Sequence, residues 1–221
     1  MTAIDFSMAL WVIVVPVLVG YLLGSISGSL VLGKLSQVDI RSMGSGNAGG
    51  TNAFRTQGWR FALGVLIIDI GKGALSTWGV AAAMTTSGAM PEGHAITAAS
   101  IAGFGAILGH VWPLYFGFRG GKGAGTAVGA VVILAPGCIL PMLLVWLSSL
   151  LLSGYVGLST IFAGFVLVPA MWWFGPDPLP TSLAVFAVSV AVLIVFTHRS
   201  NIQRLRDGTE NRFNTQKLWR R

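Results

Sequence analysis

Residues 123–176 read GAGTAVGAVVILAPGCILPMLLVWLSSLLLSGYVGLSTIFAGFVLVPAMWWFGP, 54 consecutive positions without a charged side chain. A water-soluble domain needs charge on its surface at shorter intervals, so this run belongs in lipid. At about 20 residues per crossing it holds two full spans or three short ones. Pro and Gly end helices, and the run breaks at Ala135-Pro136-Gly137 and at Ser153-Gly154-Tyr155. The piece before the first break, Ala124 to Ala135, is short for a crossing and is expected to begin in a re-entrant or thinned region.

The rest of the chain has the same character. Of 221 residues, 54% are apolar and 10% charged, with a mean hydropathy of +0.76. Further spans are expected within Phe6–Gly33, Phe61–Met90 (interrupted by Asp69 and Lys72), Ala95–Phe118 and Asp177–His198. The first lacks a basic leader and a small-residue cleavage site, which marks it as a retained span. Thirty glycines suit close helix packing in lipid as well as tight anion-binding loops. The single cysteine, Cys138, lies in an apolar run, which predicts a buried thiol and no disulfide.

Charge sets the topology. The Lys and Arg residues fall in the 34–60 loop, at Lys72, at Arg119 and Lys122, and in the tail from Arg199, whereas the opposite ends carry only Asp5, Glu92 and Asp177. Positive loops stay in the cytoplasm, so an even number of crossings separates Lys122 from Arg199. Without the last span, an odd number remains for the 54-residue run, and one is too few. The expected fold is therefore all-α, a single polytopic membrane domain over residues 1–221 with seven transmembrane helices, N-terminus outside and C-terminus cytoplasmic. The rival is six spans with a kink at Pro136, which would leave seven basic tail residues outside.

Three polar segments then collect on the cytoplasmic face. The first, Asp39 to Arg60, reads DIRSMGSGNAGGTNAFRTQGWR. Its glycines, Gly44 and Gly46 among them, alternate with Ser45, Asn47, Thr51 and Asn52 beside Arg41 and Arg55, a donor density that exceeds what a turn needs and fits an anion. No carboxylate lies between Arg41 and Arg60 to hold a metal. The second, GFRGGKG at 117–123, is not a nucleotide P-loop: Lys122 is followed by Gly123 instead of Ser or Thr. Arg119, Gly120, Gly121, Lys122 and Gly123 instead form a basic turn opening a helix whose N-terminus favours phosphate. The bland alternative is that the two basic residues only mark the membrane boundary. In the third, Thr197 to Glu210, His198 and Asn201 share a face if the helix continues, and His198 is suited to proton exchange near neutral pH. His94 and His110 have weaker claims. Asp69 and Lys72 are expected to pair with each other and to support the site from behind.

Absences narrow the chemistry. The chain has no His-Glu-x-x-His, no carboxylate cluster for a metal, no Gly-x-Ser-x-Gly elbow, and no Asp five residues after any histidine. Cofactors and metals are not expected. Nucleic acid is not an expected partner.

The chain resembles the PlsY family, the bacterial membrane glycerol-3-phosphate acyltransferases that use acyl phosphate as donor. The resemblance runs through Gly24-Ser25-Ile26, the block from Asp39 to Arg55, Asp69-x-x-Lys72-Gly73, Gly109-His110-x-x-Pro113, GFRGGKG at 117–123, Tyr155, and His198-x-x-Asn201-Ile202 with Gly208-Thr209-Glu210. Departures are Gly49-Gly50 where Gly-Ala is common, Gly157 and Thr160 where the family has serines, and Thr197 where Arg is usual. The resemblance implies seven spans with three signature segments inside, and a place in the bacterial inner membrane. It implies transfer of an acyl chain from acyl phosphate to the sn-1 hydroxyl of glycerol 3-phosphate, giving lysophosphatidic acid and phosphate. Ser45 and Lys122 would hold phosphate groups, Arg55 neutralise charge, and Thr160, His198 and Asn201 position the acceptor or polarise the carbonyl. The proton acceptor is either His198 or the donor's own phosphate. Membrane lipid and a soluble enzyme that makes acyl phosphate are the implied partners. A carrier for organic phosphates is the alternative class, and it predicts a polar route continuing outward.

Overall fold

The structure, a computed structural model, describes residues 10–86 and 92–213. Asp5 and the basic residues Lys217, Arg220 and Arg221 lie outside the described residues, so the charge assignments made for them have no structural counterpart, and Phe6 and Met90, ends of two expected spans, lie outside them as well. Among the described residues every regular element is helical. They fall into two compact units, Met1–Leu134 and Ala135–Arg221, divided at the Ala135-Pro136-Gly137 break.

The first unit begins with a π-helical turn, Leu10–Val14, that runs into α1 (Val15–Gly24). It continues through α2 (Gly28–Leu35), α3 (Gly50–Gln57), α4 (Trp59–Thr86), α5 (Glu92–Val111) and α6 (Ala124–Leu134). Helix α4 packs against each of the other five. Its buried positions, Ala62, Val65, Asp69, Lys72, Ser76, Val80 and Met84, recur every three or four residues and make one inward stripe. Leu63, Leu66, Ile67, Leu75 and Trp78 face outward. The polar pair therefore points inward and the leucines point to lipid, the reverse of a soluble amphipathic helix.

Small residues set the helix spacing. A side chain on Gly24 would strike the Ala106 backbone, and one on Gly109 the Tyr21 backbone, so α1 and α5 touch main chain to main chain. Gly73 and Gly129 do the same for α4 and α6, against Thr126 and Ile70. In lipid, where apolar burial gives no advantage over the solvent, such contact is a main source of packing energy.

The second unit contains the 3-10 turn Pro136–Cys138, with Cys138 buried as expected, then α7 (Ile139–Ser153), α8 (Val156–Phe174), α9 (Thr181–Thr197) and α10 (Arg199–Arg206). Helix α8 packs against the other three. Trp172 and Trp173 at its end are 74% and 73% exposed, as befits an interfacial belt.

Among the described residues, five helical stretches are long and apolar enough to cross a membrane: Trp11–Leu35, Trp59–Thr86, His94–Phe116, Pro136–Ser153 and Val156–Phe174. A sixth is the pair Thr181–Thr197 and Arg199–Arg206, bent by 50°. The helix expected to continue past the last span is bent at His198, which caps both helices, and His198 and Asn201 are both buried. Ala124–Leu134, at 11 residues, is short of a crossing, as its length in sequence indicated.

Candidate functional site

The first glycine-rich segment is shaped by Asn52. This side chain is 1% exposed. Its Oδ1 accepts from the Ser45 amide at 2.9 Å, and its Nδ2 donates to the Ile40 and Met43 carbonyls at 3.1 and 3.0 Å. Asn52, expected to hold phosphate, thus uses its carboxamide to close the 40–45 loop. Ile40, fully buried against Ala53, Ala62 and Val65, anchors the loop to α4. Gly44 has φ +57, a left-handed conformation that costs glycine little, and it carries the chain round so that Ser45 stands exposed at the apex. The loop ends at the start of α3, whose first-turn amides have no partner within the helix. Thr51 and Arg55, one turn apart, share a face there, and Asn47 folds over Gly49.

The second segment folds back on the end of α5. The Leu114 amide donates to Ser25 Oγ at 3.1 Å, and Tyr21 Oη donates to the Trp112 carbonyl at 2.7 Å, tying the turn to α1. The Gly120 and Gly121 amides donate to the Val111 and His110 carbonyls, both at 3.1 Å. Gly121 is buried: a Cβ there would meet the His110 ring and stand 2.6 Å from the Ala48 carbonyl oxygen, so only glycine fits. Gly121 thereby joins the second segment to the first. After Gly123 the chain enters α6 at Ala124, so this turn does open a helix. Arg119 is exposed and Lys122 half-buried.

Beneath this turn lies a buried polar cluster. The break between α1 and α2 leaves backbone groups without helical partners at membrane depth, where an unsatisfied group costs several kcal/mol. Asp69 Oδ1 accepts from the Gly28 amide at 3.0 Å, and Lys72 Nζ donates to the Ile26 carbonyl at 3.0 Å. The two charges pair at 3.0 Å, as expected, and His110 Nδ1 lies 2.9 Å from Nζ. An ammonium only donates, so it spends its three donors on Ile26, Asp69 and His110. His110, given little weight from sequence, is thus part of the support for the Gly120-Gly121 turn. The signal for it was Gly109-His110 at a span end, which is weak by itself.

The two loops carry Arg41, Arg55, Arg119 and Lys122 against a single carboxylate, Asp39. Hydrogen bonds from the Arg41 guanidinium hold the Asp39 carboxyl below its usual range, with a smaller contribution from the field of Arg119, while the carboxylate raises Arg41.

The third segment belongs to the second unit, which the structure describes separately, so two of the three expected segments are seen to join. His198 is buried at the α9–α10 bend. Its Nδ1 lies 2.8 Å from the Ile194 carbonyl, which can only accept, so Nδ1 carries the proton of that bond. Asn201 Nδ2 donates to Glu210 Oε1 at 2.9 Å, and Arg204 Nε to Glu210 Oε2 at 2.7 Å. Glu210 was quoted from sequence only as part of a block, and here it fixes Asn201. Gly157 leaves room for that arrangement, since a Cβ would stand 2.6 Å from Asn201 Nδ2. Thr160 Oγ1 donates to the Val156 carbonyl at 2.9 Å and accepts from Trp146 Nε1 at 3.3 Å.

Comparison with known proteins fits this picture. The sequence matches the family described as Glycerol-3-phosphate acyltransferase over residues 14–208. It is 41% identical to the glycerol-3-phosphate acyltransferase of Chlorobaculum tepidum, over 89% of this chain and 94% of that protein. To the protein of the same name from Salinibacter ruber it is also 41% identical, over 93% and 94%. Among solved structures it resembles PlsY, an integral membrane glycerol 3-phosphate acyltransferase, in its glycerol 3-phosphate form: TM-score 0.81, 34% identity, 94% of this chain and 98% of that one. The lysophosphatidic acid form of PlsY gives 0.80 and 33%, with the same coverage.

Proposed function

The chain belongs to the glycerol-3-phosphate acyltransferase family, and on that premise we propose that this membrane acyltransferase takes its acyl group from an acyl phosphate and delivers it to the sn-1 hydroxyl of glycerol 3-phosphate. Family membership decides against the organic-phosphate carrier. The observation that carries the donor assignment is the joining of the 40–52 loop and the 117–123 turn in one unit, glycine-dense, cationic and without a nucleophile elbow. An acyl phosphate is already activated. The protein then needs no covalent intermediate, only a way to hold two anions together and to stabilise charge on the carbonyl and the leaving phosphate.

In this reading the Ser45 hydroxyl, the first-turn amides of α3 about Thr51, and Lys122 hold phosphate oxygens, while Gly44, Gly46, Gly120, Gly121 and Gly123 shape the loops, the Gly46, Gly120 and Gly121 amides being bound to the Met43, Val111 and His110 carbonyls. Arg55 and Arg119 neutralise charge, and Asn47 borders the cradle. Asn52 acts by fixing the loop. Thr160, His198 and Asn201 orient the acceptor. The sn-1 oxygen attacks the carbonyl carbon, the bond from that carbon to the phosphate oxygen breaks, and the departing phosphate takes the hydroxyl proton, giving lysophosphatidic acid and inorganic phosphate. Both carboxylates of the third segment are engaged, Glu210 by Asn201 and Arg204 and Asp207 by Gln203, which favours the donor's phosphate as proton acceptor. The proposed setting is a bacterial inner membrane, with seven crossings, the N-terminus outside and the loops on the cytoplasmic side, where a soluble enzyme would supply acyl phosphate.

The test supplies purified protein with labelled glycerol 3-phosphate and either synthetic palmitoyl phosphate or palmitoyl-CoA. Labelled lysophosphatidic acid with equimolar phosphate release is expected from the acyl phosphate. Turnover of the thioester alone would overturn the donor assignment.

A further inference from the structure

Arg41 spans the two glycine-rich loops. Its Nε stands 3.0 and 3.3 Å from the two Asp39 carboxylate oxygens, its Nη2 2.9 Å from Oδ2, and its own amide 2.9 Å from Oδ1. One edge of the guanidinium, formed by Nε and Nη2, is thereby fixed. The remaining Nη1 donates to the Phe116 carbonyl at 3.1 Å and to the Arg119 carbonyl at 3.3 Å. Between those carbonyls two residues are left-handed: Gly117 at φ +66, which costs glycine little, and Phe118 at φ +59, where a bulky residue is a genuine outlier and the backbone is strained. The Phe118 amide is bound to the Pro113 carbonyl at 2.9 Å, which keeps the turn tight. From Arg119 the chain passes through Gly120 and Gly121 to Lys122. Arg41 therefore grips both ends of the strained turn that aims Arg119 and Lys122, while its backbone belongs to the loop that presents Ser45. Asp39 cancels its charge locally, which suits a fastener better than a phosphate ligand.

We infer that Asp39 and Arg41 are positioning residues, which set the spacing between the Ser45 loop and the Arg119–Lys122 turn and so the affinity for the phosphate of glycerol 3-phosphate. This rests on the reading that those two loops hold that phosphate. The planar fork matters as much as the charge, because a lysine ammonium cannot hold Asp39 through two nitrogens and reach both carbonyls with a third.

The test compares Arg41→Lys, Arg41→Gln, Asp39→Asn and the Asp39→Asn/Arg41→Gln pair in the full chain in lipid nanodiscs. Steady-state kinetics are measured together with amide exchange over residues 113–123. Loss of two charge-assisted bonds predicts that each single variant raises the KM for glycerol 3-phosphate about tenfold, with kcat within about twofold. The KM for the acyl donor stays unchanged, the Phe118, Gly120 and Gly121 amides exchange faster, and the double variant is no worse than Arg41→Gln. If Arg41→Gln does not fold, Arg41→Lys and Asp39→Asn carry the comparison. Unchanged exchange in these variants would overturn the inference, as would a wild-type KM in Arg41→Lys. Wild-type kinetics in Asp39→Asn beside an impaired Arg41→Lys would also overturn it, by making Arg41 a direct substrate ligand. Faster exchange with an unchanged KM overturns it too, and places the fault in the assignment of the loops to phosphate, leaving the fastener intact.

Discussion

Lys72 Nζ stands 3.0 Å from Asp69 Oδ1, one helical turn away on the inward stripe of a membrane-spanning helix, with both side chains 5% exposed. The pair also supplies the donor and acceptor that the interrupted first span needs, through Ile26 and Gly28. A bare ion pair in this position would give little net stability, because desolvation offsets the attraction. Its value here is that it lets a broken helix exist in lipid.

Lys72→Met is accordingly expected to cost about 3–5 kcal/mol, because Asp69 is left charged and unpaired. Asp69→Leu with Lys72→Met removes both charges and should be milder than either single change, though Gly28 and Ile26 still lose their partners. Apparent unfolding temperatures followed by tryptophan fluorescence check this order. Equal stability of wild type and Lys72→Met would show that the pair does no structural work.

Gly121→Ala should impair the activity of the protein that folds. The added methyl meets the His110 ring and the Ala48 carbonyl, so the turn has to shift by a fraction of an ångström. A misplacement on the order of 1 Å in a substrate-holding loop can cost about 10²-fold, and a loss of about 10-fold or more in kcat/KM is expected, mainly through the KM for glycerol 3-phosphate. An unaltered KM would detach this turn from phosphate binding.

His198→Gln distinguishes the two proton acceptors. If the donor's phosphate takes the proton, the shape of the pH–rate profile survives, and activity falls about tenfold through loss of an orienting hydrogen bond. If His198 is the base, the loss is about 10²–10⁴-fold and the limb of the profile that reports its deprotonation disappears. The first outcome is expected.

Asp39 gives a pH signature. Its carboxyl is held below the ordinary value of 3.8 chiefly by the Arg41 hydrogen bond, so the folded state binds this proton less readily than the unfolded chain does. The stabilisation is fully present above the ordinary value and is lost as pH falls through the lowered one. Melting curves of wild type and Asp39→Asn should therefore differ at neutral pH and converge under acid, the gap staying flat above about pH 5. Because Asp39 is half exposed, the gap should shrink in salt. A gap that widened on acidification would contradict the pairing.

The sequence by itself determined the class and most of the layout. Lipid tolerates only long apolar runs, so the charge-free stretches and the breaks at Pro136 and Gly154 mark the helices directly, and the glycines and cations of the donor-rich loops raise the expectation of an anion site. It also gave the Asp69–Lys72 pair, because three residues on a helix make one contact. What only the tertiary structure decided is every relation between residues distant in the chain. The grip of Arg41 on the Phe116 and Arg119 carbonyls, the place of His110 beside Lys72, and the use of the Asn52 carboxamide to close its own loop all depend on which backbones approach. That approach is set by glycine contacts between helices, and such contacts leave no periodic trace in a chain that is apolar on its outer surface as well as within.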